Sequence, residues 1–202
     1  RAIMKIYFFH YPKEFKKNWL HTERVFKVNF ADTYLTGMID GIYEDENDEL
    51  WLMDHKCLSV IDEDALIKAL PFDIQCNLYL YAANEILGRF PSGLVYNIIR
   101  RPQDKIKEKE TVEEYSSRVM FKVLENPSYY FIRIPLRRDP IELKEWIYEQ
   151  LKPIVEEIKN WFDNGYKPRY VTPANLIGKY GRATLFNLIT SGSTYGLKKR
   201  EV

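Results

Sequence analysis

Residues 36–57, TGMIDGIYEDENDELWLMDHKC, decide the fold, because they read as a hairpin that gathers two carboxylates and a lysine on one small surface. Residues 34–43 and 50–56 are rich in β-branched, aromatic and long apolar side chains, and the charged run 44–49 between them is turn-prone, with Asn47 at its tip. A ladder symmetric about Asn47 sets Asp40 opposite Asp54, Met38 opposite Lys56 and Ile42 opposite Leu52. One face then carries Asp40, Asp54 and Lys56, with cross-strand Cβ atoms about 4.5–5.5 Å apart. The other carries Ile39, Met53 and the aromatic pair Tyr43 and Trp51. Two aspartates facing one another on a mostly apolar sheet repel and lose hydration, a cost that a cation between them would relieve. A divalent metal is the natural candidate.

The length of 202 residues and 46% apolar content suit one domain with a full core, residues 1–202. With 30 basic and 29 acidic residues the net charge is +1, which excludes a generally basic nucleic-acid coat but leaves room for a local basic groove. No apolar run approaches ~20 residues and the start has no signal-peptide pattern, so the expected setting is the cytoplasm, with no membrane partner. The chain begins at Arg1 without an initiator methionine, as a segment of something longer would. Cys57 and Cys76 are too few for a disulfide framework and read as small apolar side chains beside the site.

Residues 1–21 are aromatic and basic and read as a short strand followed by a short helix. Residues 23–29 alternate as the first strand of a three-stranded meander with the hairpin. Asp62 caps a short helix over 62–70 that Pro71 ends. A second helix over about 72–87 stops at Gly88, with Ile74, Leu78, Tyr81, Ala82 and Ile86 as its apolar stripe and with Gln75 and Tyr79 sharing one side. Residues 93–100 (GLVYNIIR) are the run of a covered central strand, which a helical crossover can set parallel to a neighbour. Residues 101–110 read as a solvated connection or, with Arg100 and Arg101, as a source of phosphate contacts. Then come a helix over 111–124 with a capping box from Thr111 to Glu114, a strand over 129–137, a long helix over 141–162, and a small docked appendage from 173 onward.

Two carboxylates joined by a carbonyl or a water suit Mg²⁺ or Mn²⁺, hard cations that prefer oxygen. Zinc is disfavoured, since His10, His21, His55 and the two cysteines lack metal-ligand spacing. The His55 ring alternates away from the acidic face, although its backbone carbonyl lies where a ligand is wanted. Lys56 either neutralises charge on a phosphoryl group and orients a water, as phosphodiester hydrolysis requires, or simply pairs with Asp40 or Asp54.

The order of elements adds to this. Glutamate at the start of a strand, then Gly37-Met38-Ile39-Asp40, Asp54-His55-Lys56 and a helix bearing Gln75 and Tyr79 resembles the PD-(D/E)XK nuclease superfamily. More narrowly it resembles the RecB-type and phage exonuclease branch, with its G-x-x-D, D-x-K and Q-x-x-x-Y motifs over residues 23–100. The resemblance implies an α/β restriction-endonuclease-like fold, a mixed sheet flanked by helices, with a catalytic core over about 23–100 and an extension over about 111–202. It implies metal ligation by Asp40, Asp54 and the His55 carbonyl, catalysis by Lys56, a metal-bound water held by Glu23, and substrate positioning by Gln75 and Tyr79. DNA is the implied partner, in a bacterial or phage-infected cell, with a homo-oligomer or a recombination protein as a further one.

The sequence departs from the family in two places. Members with an iron–sulfur cluster carry cysteines in the C-terminal region, and residues 175–192 hold none, so no cluster is expected. Neither His10 nor His21 fits the family's early histidine. A non-catalytic DNA-binding module, a structure-specific endonuclease and a phosphohydrolase of nucleotides are the competing readings.

Overall fold

The computed structural model describes residues 2–164, 177–178 and 181–182, which fall into two compact units, 1–151 and 152–202. The first unit is built on a five-stranded sheet in the order β1-β2-β3-β4-β5, formed by Asn18–Phe30, Thr33–Glu44, Leu50–Leu58, Gly93–Arg100 and Phe131–Arg137. β3 and β4 are parallel and every other neighbouring pair is antiparallel, so the sheet is mixed, as expected.

The hairpin keeps the expected register at its closed end, where Tyr43 faces Trp51, Ile42 faces Leu52 and Gly41 faces Met53. Asp45 rather than Asn47 organises the turn: its Oδ1 accepts from the Asn47 and Glu49 amides at 2.9 and 3.0 Å, and its Oδ2 from the Trp51 indole at 3.2 Å. Beyond Gly41 and Met53 the ladder stops. The expected pairings of Asp40 with Asp54 and of Met38 with Lys56 do not form. β2 stays with β1 down to Thr33, whereas β3 stays with β4 to its end, so the sheet forks.

Successive residues of a strand look to opposite faces. Lys56 therefore looks toward the face that meets α3 (Ile74–Leu87), and His55 and Asn97 toward the face that meets α1 (Ala2–His10). α3 is fixed by Asp73, whose side chain accepts from the Cys76 amide, and by Gly88, whose φ of 63° ends it in the left-handed region. Its buried residues are Cys76, Asn77, Tyr79, Leu80, Ala82 and Ala83, so the expected apolar stripe is displaced; Ile74 is exposed. Asn77 is buried at no cost in polar groups because its amide donates to the Pro71 and Asp73 carbonyls and its oxygen accepts from Arg138.

The N-terminal residues form α1 and a 3-10 turn, Pro12–Lys16, not a strand and a helix. Aromatic content there mimics a strand, but Ile3, Ile6, Tyr7 and Tyr11 recur at helical spacing and pack with Val123, Tyr130 and Phe131 of α4 (Val112–Glu125), α5 (Pro127–Tyr130) and β5. The short helix α2 is Glu63–Ala69, capped by Asp62, and α4 carries the capping box of Thr111 and Glu114. The expected long helix is α6 (Pro140–Trp146) followed by a π-helical turn, Ile147–Leu151. Pro153, which lacks an amide hydrogen, explains a break in the α pattern at that point. The second unit opens with α7 (Lys152–Asp163) and includes the two-residue strands β6 (Ile177–Gly178) and β7 (Gly181–Arg182). The expected appendage otherwise lies outside the described residues. No helix among the described residues is long and apolar enough to cross a membrane.

Candidate active site

The fork leaves the backbone of β3 short of partners, and Asp40 supplies one: its Oδ2 accepts from the His55 amide at 2.8 Å. A side-chain carboxylate thus stands where a strand carbonyl would otherwise be, which holds Asp40 at the crotch of the fork beside Asp54.

Asp54 is 2% exposed. Its Oδ1 accepts from Lys56 Nζ at 3.0 Å. Its Oδ2 lies 2.8 Å from the same ammonium, an ion-pair contact without the alignment of a second hydrogen bond. Burial raises the Asp54 carboxyl above the usual range; Lys56 opposes the rise and the Asp40 charge adds to it. For Lys56, burial works to lower the ammonium, but the hydrogen bond and charge of Asp54 outweigh it and hold it above the usual lysine range.

Lys56 is gripped from the helix as well. Its Nζ donates to Gln75 Oε1 at 2.9 Å, and Gln75 Nε2 donates to the Tyr79 hydroxyl at 2.7 Å. Gln75 and Tyr79 are one turn apart on α3, so the helix lays the pair along the β3 lysine. The Tyr79 ring meets Phe26 of β1 edge-on at 6.0 Å. Phe26 in turn lies on Gly37, where a Cβ would come within 2.7 Å of the ring. Gly37, Phe26, Tyr79, Gln75 and Lys56 form one continuous support.

On the opposite face, His55 meets a network that sequence reading missed. Asn97 Oδ1 accepts from the Tyr7 hydroxyl at 3.1 Å and from Arg133 Nε at 2.9 Å, which leaves its amide nitrogen to donate to His55 Nδ1 at 2.8 Å. His55 accordingly carries its proton on Nε2. Arg133 also pairs with the buried Glu14. The signal was there in Asn97, a polar residue in the middle of an apolar strand, which has to find partners.

Glu23 is exposed and lies between the pairs Thr22–Gly41 and Arg24–Ile39, level with Asp40, at a break in the ladder where its φ is 50°. Arg100 and Arg101 do not join the carboxylates. Arg100 donates to the Tyr129 carbonyl at 2.9 Å and lies over the Tyr129 ring at 4.0 Å, and both arginines line a separate cavity of about 540 Å³.

Among the described residues no three His, Cys, Asp or Glu side chains converge as a metal cage. Mg²⁺ commonly takes one or two protein carboxylates and completes its shell with water and substrate phosphate. Asp40 and Asp54 are hard oxygen donors in adjacent strands, and the buried Asp54 Oδ2, in ion-pair contact with Lys56 but without a hydrogen bond of its own, keeps lone pairs for a cation, so the residues present fit such an ion.

Among known families, the sequence model of the PD-(D/E)XK nuclease superfamily matches residues 2–170. No curated protein matches the chain.

Proposed function

The chain belongs to the PD-(D/E)XK nuclease superfamily, and from that premise we propose that it is a Mg²⁺- or Mn²⁺-dependent deoxyribonuclease acting as an exonuclease on DNA in recombination, repair or phage DNA processing. Its mixed sheet with flanking helices is the restriction-endonuclease-like architecture, and membership carries a nuclease-type function. The observation that supports catalysis by this chain is the state of Lys56. It is fixed between Asp54 and Gln75 at 3.0 and 2.9 Å beside a carboxylate oxygen with no directed partner.

In this reading Asp40, Asp54 and the His55 backbone carbonyl would hold the divalent ion, and Glu23 would hold a water bound to it. The ion would supply Lewis-acid polarisation of the phosphoryl group and a more acidic water. Lys56, kept protonated by Asp54, donates toward charge that grows on the phosphoryl oxygens as the water oxygen bonds to phosphorus and the ester bond breaks. Gln75 and Tyr79 hold Lys56 in place and fix one wall of the cleft. Arg100 and Arg101 meet phosphates further along the strand. Exonuclease action rests on the joint presence of G-x-x-D, D-x-K and Q-x-x-x-Y, the motif set of the RecB-type and phage exonuclease branch.

The test is cleavage of end-labelled linear and circular DNA with Mg²⁺, with Mn²⁺ and with chelator, using Lys56→Ala and Asp54→Ala as controls. Metal-dependent loss of linear DNA alone, abolished in both variants, is expected. Cutting of circles would make the protein an endonuclease, and inert wild-type protein that still binds DNA would leave a binding module.

A further inference from the structure

On the α1 side of the fork lies a cavity of about 400 Å³ whose walls include Asp40 and His55. Whatever fills it is therefore in contact with the same carboxylate that is assigned to the metal. The rest of the lining is largely aromatic. The Phe8 and Phe15 rings lie 4.7 Å apart at a shallow tilt, and Phe15 is 73% exposed. Trp19 lies on Gly41, where a Cβ would come within 2.4 Å of its ring, so glycine next to Asp40 is what lets the indole reach the wall.

The charge of the lining selects among occupants. Of its two carboxylates, Glu14 is already paired with Arg133 and with Lys17, so Asp40 is the acid that faces an occupant, and no lysine or arginine lines the cavity, whereas the 540 Å³ cavity at the end of β4 is lined by Arg100, Arg101 and Lys122. Asp40 and the lack of a cation in the lining disfavour a phosphate there, and the aromatic walls suit a flat, uncharged π surface. Exposed aromatic rings rimming a preformed apolar cavity are also how small ring systems are usually held.

We propose that this cavity receives an unpaired nucleobase of the nucleotide adjoining the scissile phosphate, which makes single-stranded or frayed DNA the substrate class of the enzyme. The inference rests on the nuclease reading of Asp40 and deepens it. A base inside the cavity has left its duplex stack, while its sugar and phosphate stay at the mouth beside Asp40. Single strands and frayed ends meet that demand at least cost.

Binding and cleavage test it separately. Single-stranded DNA carrying 2-aminopurine at successive positions is titrated into Lys56→Ala and into Lys56→Ala/Phe15→Ala in the presence of Ca²⁺. One position is expected to be quenched in the first protein and not in the second, with affinity about tenfold weaker in the second. With wild-type protein and Mg²⁺, an abasic site at that position is expected to raise KM about tenfold, and to cost nothing further in Phe15→Ala. Cleavage with no quenched position and a flat abasic scan would overturn the cavity's role and leave the nuclease reading intact. Quenching without cleavage by wild-type protein would overturn the nuclease reading and keep the base site. Equal cleavage of blunt duplex and single strand would overturn the substrate class.

Discussion

Lys56 Nζ and Gln75 Oε1 stand 2.9 Å apart, and that contact joins the sheet to the helix beside the buried Asp54 carboxylate. One N–H of the Gln75 amide goes to the Tyr79 hydroxyl and its oxygen to Lys56, so Gln75 ties the lysine to the helix and keeps its second N–H. A hydrogen bond to a charged group is worth about 1.5–3 kcal/mol, so Gln75→Ala is expected to lower kcat roughly 10- to 100-fold with KM nearly unchanged. Tyr79→Phe keeps the ring against Phe26 and removes one neutral hydrogen bond, for a fall of about 2- to 10-fold. Steady-state kinetics on a fixed single-stranded substrate checks both. A rise in KM for Gln75→Ala would place Gln75 on the substrate instead.

The glycines of the hairpin are set by neighbouring rings, not by backbone conformation. A Cβ at Gly37 would come within 2.7 Å of Phe26 and one at Gly41 within 2.4 Å of Trp19, whose indole is already anchored to the Glu14 carbonyl at 3.2 Å. Overpacking of this kind costs about 1–3 kcal/mol. Gly37→Ala and Gly41→Ala are both expected to unfold at lower temperature than wild type, Gly41→Ala more so because Trp19 has less freedom to retreat. Shrinking the ring in Gly37→Ala/Phe26→Leu is expected to recover part of the loss; thermal melts of the three variants decide it.

The closed end of the hairpin could be read from local pattern, because register follows from alternation and turn length, and it holds from Glu44 with Leu50 to Gly41 with Met53, one residue short of Asp40 and Asp54. The fork could not. It depends on β1 and β4 competing for the two strands and on the Asp40 carboxylate replacing a carbonyl, neither of which local pattern contains. Gln75 and Tyr79 were visible as a pair one turn apart, but the apolar stripe drawn beside them was displaced. Ala82 is buried as expected, but α3 also buries Cys76 and Ala83, small residues that hydrophobicity alone ranks below the exposed Ile74. Glu14 and Arg133 escaped notice for a similar reason. Each is an ordinary surface residue type by sequence, and their ion pair spans elements far apart in the chain.

The buried Asp54 Oδ2 predicts a metal effect on stability that does not depend on cleavage. A ligand that binds only the folded protein adds about 1.4 kcal/mol at tenfold excess over its Kd, which is roughly 3–6 °C for a unit of this size. Mn²⁺ is expected to raise the melting temperature of wild-type protein and to leave Asp54→Asn unmoved. In chelator, Asp54→Asn relieves repulsion with Asp40 but deprives Lys56 of its ion-pair partner, so it is expected to melt near or below wild type. An equal Mn²⁺ shift in both proteins would move the ion elsewhere.

Away from the site, Glu110 contributes to the acid limb of stability. Its carboxylate takes a forked pair of bonds from Arg118 at 2.7 and 2.8 Å and accepts from the Lys107 amide at 2.8 Å. The Arg118 bonds first, and the amide second, pull its pKa from 4.5 down to about 2. A carboxyl depressed in the folded state binds its proton more readily when unfolded, so its contribution is complete above the unfolded value and is lost as pH falls through the folded one. The difference in melting temperature between wild type and Glu110→Gln is therefore expected to hold from neutral pH to about 4.5 and to close by about pH 2. Because the Arg118 side chain keeps contact with solvent, added salt is expected to narrow the gap wherever it is open. A gap that survived unchanged at pH 2 would show that Glu110 stabilises through packing and not through charge.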